Sequence, residues 1–88
     1  MSQERWQSFS KNEQLKHIAS EIKRASLYEE KNSKLKNEIL ERGLEFIDLS
    51  LEDGKWRGDL RLLFTLRNLL AESYIGRGMP LDRIYAAF

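Results

Sequence analysis

The chain has no cysteine, a single proline and a single histidine in 88 residues. Without cysteine there is no disulfide, no thiol nucleophile and no thiolate metal site, a composition that fits a reducing cytoplasm. One histidine leaves little for metal or acid–base chemistry, and the paired Glu-x-x-His motif that builds two-metal sites in helical bundles is missing. Long apolar runs are absent as well. The longest apolar segment is cut by Arg61 and Arg67, and the opening MSQERWQSFSKNEQ has no apolar core, so neither a membrane span nor a secretory leader is expected. Charge of one sign is also lacking: fifteen Lys and Arg against fourteen Asp and Glu leave a net +1, with no global pull toward nucleic acid or an anionic membrane.

What is present is the composition of an ordered helical domain, 41% hydrophobic and 33% charged with only five glycines to interrupt it. Charge is distributed unevenly. Residues 32–53 carry three basic against six acidic side chains, and residues 54–88 six against three. The expected fold is all-α: a three-helix core, made of an antiparallel αα-hairpin plus an N-terminal helix, with a short C-terminal helix. Residues 1–88 then form one domain, with 1–9 as an arm and 79–88 as the short helix.

The stretch organising the chain is 56–75, WRGDLRLLFTLRNLLAESYI, read as one helix. At about 100° per residue its apolar side chains sweep about two thirds of the wheel. Trp56, Leu60, Leu63, Phe64, Leu70, Ala71 and Tyr74 make the centre and one flank; Leu62, Leu66 and Leu69 extend the other. Asp53 is the expected N-cap, and Gly76 suits the left-handed position that ends the helix. Upstream, Ser10 and Glu13 have capping-box spacing, so a first helix starts at Lys11 and shows the core one narrow stripe of Leu15, Ile18, Ala19, Ile22 and Ala25. Ser26 and Glu29 repeat that spacing, which leaves open whether SLYEE opens another helix after a tight break or the first helix runs on to about Asn32. A second helix over 35–51 turns Leu35, Ile39, Leu40, Leu44, Phe46, Ile47 and Leu51 inward, with Gly43 at a close helix contact. Pro80 opens a last helix carrying Leu81, Ile84, Tyr85 and Phe88. Together with Trp6 and Phe9 of the arm, these side chains are expected to cover apolar flanks of the bundle.

No nucleophile elbow, P-loop or catalytic constellation occurs, and no enzyme activity or cofactor is expected. Glu13, His17 and Glu21 share a helix face, but opposite the apolar stripe, where ordinary solvated contacts explain them and no metal site is expected. In IGRGMP a helix stop followed by a helix start accounts for Gly76 and Gly78 without a bound phosphate. Candidates for nucleic-acid contact, namely Arg57, Arg61, Arg77, Arg83, Lys11, Lys16, Lys23 and Arg24, are dispersed. Nucleic-acid binding or regulation is therefore the second choice. On the second helix Glu38, Glu41, Glu45, Asp48 and Glu52 follow one another by three or four residues. They form an acidic edge, relieved only by Arg42, that is either a solvated face or a docking strip for a basic partner.

The functional expectation is a small cytoplasmic interaction module of unspecified protein partner that self-associates through 56–75. Its interface candidates are Asp59, Leu62, Leu63, Leu66, Arg67, Leu69 and Leu70. Asp59 and Arg67 are symmetric about Leu63 on a face that should be apolar, so an antiparallel homodimer crossing at Leu63 would pair each with the other in its copy.

Overall fold

The computed structural model describes residues 1–88. It contains helices and no strand: α1 (Gln3–Gln7), α2 (Lys11–Ser26), α3 (Ser33–Leu51), a single 3-10 turn (Gly54–Trp56), α4 (Leu60–Tyr74) and α5 (Leu81–Ala86). Helices α2 and α3 form the main hairpin. Helix α4 packs on the other flank of α3, and α5 lies mainly on α2 and touches α4. Short connections make successive long helices antiparallel neighbours, and the chain adopts the expected all-helical core; the hairpin expected between the helices of 35–51 and 56–75 is present as α3 and α4, but the more extensive pairing is α2 with α3.

The caps follow from local chemistry. Ser10 accepts the Glu13 backbone N–H while the Glu13 carboxylate accepts that of Ser10, the reciprocal box that starts α2 and that draws the Glu13 carboxyl below its ordinary range. Helix α2 stops at Ser26. A turn over 27–31 follows, and Asn32 caps α3 by accepting the Leu35 N–H. At the end of α4, Gly76 takes φ +83 and the N–H groups of Gly76 and Arg77 reach back to the carbonyls of Ser73 and Glu72, a Schellman closure. Side chains add to this closure: the buried Lys36 ammonium also donates to Ser73 O (2.9 Å), and Asn37 donates to Tyr74 O (3.3 Å). A cation there also faces the negative end of the helix dipole.

The core joins Ile18, Ile22 and Ala25 of α2, Ile39, Leu40, Phe46 and Ile47 of α3, and Leu63, Leu66 and Leu70 of α4, closed by Trp6, Trp56, Leu81 and Ile84. Gly43 is buried where α2, α3 and α4 meet, with Leu70 and Glu21 facing it, as a close helix contact requires. The arm folds back as expected. Trp6 is fully buried, stacked on Phe46 with ring centroids 4.8 Å apart, and donates to Ser50 Oγ.

Several sequence expectations are corrected. Trp56 lies outside α4: Asp53 caps the 3-10 turn by accepting the Lys55 N–H, and the long helix begins only at Leu60, after Arg57, Gly58 and Asp59. Gly54 opens that turn and Gly58 follows it, and both bias this stretch against α-helix. Helix α2 is not a one-stripe surface helix. It sits between α3 and α5 and also buries Gln14 and Glu21. Its Glu13–His17–Glu21 side is not simply solvated, since His17 packs on Phe9 (4.8 Å between centroids) and Trp6 (5.8 Å). In α4, Leu60, Phe64 and Tyr74 are exposed although the wheel places them in the buried sweep.

A polar network centred on Gln14 lies under the arm. The Gln14 side chain is fully buried; its amide donates to Trp6 O (2.9 Å) and Asp53 Oδ2 (3.0 Å), and its oxygen accepts the Trp56 indole N–H (2.5 Å). Lys55 Nζ donates to the same Asp53 oxygen (2.8 Å) and to Gln7 O (2.7 Å). Burial alone pushes the Asp53 carboxyl up, but the bonds from Lys55 and Gln14 outweigh it and hold it below its ordinary value.

Candidate functional site

Helix α4 carries the surfaces that the rest of the chain leaves open. Its buried arc is narrow: Leu63, Leu66, Leu70 and Ser73 turn inward, while apolar side chains continue on both sides. Of the interface candidates, Leu63 and Leu70 are wholly buried and Leu66 nearly so, which places them in the core and not at an exposed interface. The crossing centred on Leu63 is thereby removed, because that side chain has no surface to offer a copy.

The two charges that motivated the crossing are satisfied within the chain. Asp59 accepts an ion-pair hydrogen bond from Lys11, and Arg67 Nε donates to Asp48 Oδ1 at 2.9 Å, a bond that raises the Arg67 pKa above its ordinary value. Both pairs are on the surface. Arg67 lies where α4 borders the outer edge of α3, so the middle of the apolar sweep on the wheel is a seam open to solvent and not a core position.

On the α5 side, Leu62, Leu66 and Leu69 meet Leu15, Ile84, Ala87 and Phe88 around an open groove of about 340 Å³ in which Thr65 is the one polar residue. Leu62 is 45% and Phe88 47% exposed at this groove. Sequence reasoning places the three leucines on one flank, but it does not supply the opposite wall, since Leu15, Ile84 and Phe88 arrive from two other helices. No protein-family model, curated protein or solved structure matches this chain. Its surfaces are therefore read on their own chemistry.

On the α3 side the acidic edge lies along solvent as its spacing predicts. Glu38, Glu41, Glu45, Asp48 and Glu52 are all exposed. Arg42 does not relieve Glu38 as expected; its guanidinium approaches Glu21 (3.9 Å), which Arg24 also binds (3.0 Å). What the edge does receive is Arg67 on Asp48, the Tyr74 hydroxyl on Glu41 (2.8 Å) and the Met1 amine near Glu45 (3.5 Å). The bond to the Glu41 carboxylate raises the Tyr74 pKa.

Other sites weighed in the sequence are filled by the chain itself. The Glu29 carboxylate accepts the Leu81 N–H (3.1 and 3.2 Å) and so occupies the start of α5, where an anion would otherwise sit. No three His, Asp or Glu side chains gather as a metal site, and no helix is long and apolar enough to cross a membrane. Among the cations considered for nucleic acid, Lys11 is held by Asp59 and lies over the Trp56 ring, Lys23 lies over Tyr85, and Arg24 is held by Glu21.

Proposed function

We propose that the protein is a small helical interaction module of the cytoplasm that acts by binding and self-associates through α4. The observation that carries this reading is the apolar groove beside Leu62, Leu66 and Leu69, which has both a hollow and exposed knobs on one patch. Leu62 and Phe88 stand at the groove they help to line. A two-fold contact lets each copy seat its Phe88 and Leu62 in the hollow of the other, the self-complementarity that an isologous dimer needs. The near-neutral net charge does not oppose such contact. This dimer uses the groove flank of α4 in place of the Leu63 crossing.

Sedimentation equilibrium of the wild type and of Leu62→Glu tests it. The wild type should dimerise with a Kd of roughly 1–100 µM, and the variant should sediment as a monomer with unchanged helical circular dichroism. A wild type that stays monomeric at about 1 mM, or a Leu62→Glu variant as dimeric as the wild type, would refute the reading.

A further inference from the structure

The opposite flank of α4 is also uncovered, and its surroundings specify a different occupant. Phe64 is 52% and Ile75 67% exposed, with Leu60 exposed and Ala71 half-buried. On the α4 wheel these four fall within an arc of about 60°. Arg67, three residues from Phe64, and Tyr74, three from Ala71, are held by Asp48 and Glu41, which fixes this arc beside the outer edge of α3. There Glu41, Glu45, Asp48 and Glu52 line an open groove of about 420 Å³ together with half-buried Leu44 and Leu49. Arg67 is the α4 residue that lines this groove, so it borders both the exposed apolar arc of α4 and the carboxylates, whose positive partners are Arg67 and the Met1 amine.

We propose that this face docks a basic amphipathic helix of another protein, one whose apolar stripe lies on Phe64, Ala71, Leu44 and Leu49 and whose Lys or Arg side chains reach Glu41, Glu45 and Glu52. Unpartnered apolar groups of this size mark a contact surface, and a helix laid in such a groove is anchored at i, i+3, i+4 and i+7. The charge chooses among occupants. Nucleic acid and anionic membranes are repelled by the edge, and a second copy laid face to face would set carboxylates against carboxylates. A cationic helix gains from both halves of the face, and the like-charge repulsion along α3 is relieved when it binds. This site is separate from the Leu62–Phe88 groove, so it stands or falls independently of self-association.

The test uses the full chain and a synthetic helix of about 18 residues with leucines on one face and lysines on the other. Two control peptides carry glutamate in place of lysine, or serine in place of leucine. Binding is read by fluorescence anisotropy and by backbone amide chemical-shift mapping. The leucine–lysine helix should bind, weaken as salt rises, and shift amides around Leu44, Leu49, Phe64 and Ala71. The combined Glu41→Gln, Glu45→Gln and Glu52→Gln variant should bind about fivefold more weakly, and Phe64→Ser at least about tenfold more weakly. Because all four side chains are exposed, both variants should keep the wild-type circular dichroism; the wild-type shift map needs no variant at all. The proposal is overturned by absence of binding, by equal binding of either control peptide, by shifts gathered around Leu62 and Phe88, or by unchanged affinity in the glutamine variant.

Discussion

Replacing Gln14 with alanine removes a fully buried side chain that bonds Trp6 of the arm, Trp56 of the 3-10 turn and Asp53 together. The losses are unequal. Trp6 O keeps the Phe9 N–H and Asp53 keeps Lys55, so neither is orphaned. The fully buried Trp56 indole N–H loses its acceptor, which costs about 1–3 kcal/mol, and the bond to the Asp53 carboxylate contributes about 1.5–3 kcal/mol more. The expected destabilisation is therefore about 2.5–6 kcal/mol, against a total of about 4–13 kcal/mol for a chain of this length. Urea and thermal unfolding followed by circular dichroism should show it, with Tm lowered by roughly 10 °C or more. Gln14→Met fills the same length but loses the same hydrogen bonds, so it should cost nearly as much, and whatever Gln14→Ala loses beyond it measures the cavity. A loss below about 1 kcal/mol in both variants would refute the argument that this network holds the arm and turn to α2.

Gly43→Ala should stabilise by up to about 1 kcal/mol, since the added methyl meets Leu70 and Glu21 at ordinary contact distances of 3.6 and 3.7 Å while helix propensity improves. Gly78→Ala should destabilise by about 1–2 kcal/mol, because φ is +87 and the methyl would lie 3.1 Å from Glu72; thermal melts of the pair should move in opposite directions. Asp53 has a folded pKa below its ordinary 3.8, so its stabilisation is complete above that pH and is lost as pH falls through the folded value; Asp53→Asn should flatten the acid limb of a stability–pH curve and leave the remaining carboxylates to shape it. Arg67→Gln should change stability by less than about 1 kcal/mol, because the Asp48 pair is exposed and screened; a loss of several kcal/mol by urea titration would show that Arg67 occupies an enclosed position after all.

Features set by neighbouring residues are legible in the sequence: the Ser10–Glu13 box, the Gly76 closure, the stripe of α3 and the five-carboxylate edge each need only one helix to be defined. The α4 readings failed where a second helix decides the outcome. A wheel centres the apolar sweep on its mean direction, near Arg67, but α3 covers only the part around Leu63 and Leu70, leaving Phe64 on one side and Leu62 on the other. Two polar residues inside the buried arc of α2, Gln14 and Glu21, give no hydrophobic signal at all. Their positions follow from partners about twenty to forty residues away, Arg42, Asp53 and Trp56. Both candidate surfaces combine side chains from at least two helices, so composition could suggest an acidic edge or a leucine flank but not the groove beside either.

The closure of Trp6 on Ser50 and of Trp56 on Gln14 bridges 44 and 42 residues of chain. Helices α2 and α3, by contrast, are joined by a short turn and meet along their lengths. Bringing distant segments together costs loop entropy before any contact repays it, and the five-residue α1 has no helical stability of its own. The hairpin should therefore assemble first, with the arm and the 3-10 turn setting last around Gln14. In amide exchange the two should release together as one cooperative unit at lower free energy than the α2–α3 pair, so that the arm acts as the chain's final latch in folding and its first point of opening.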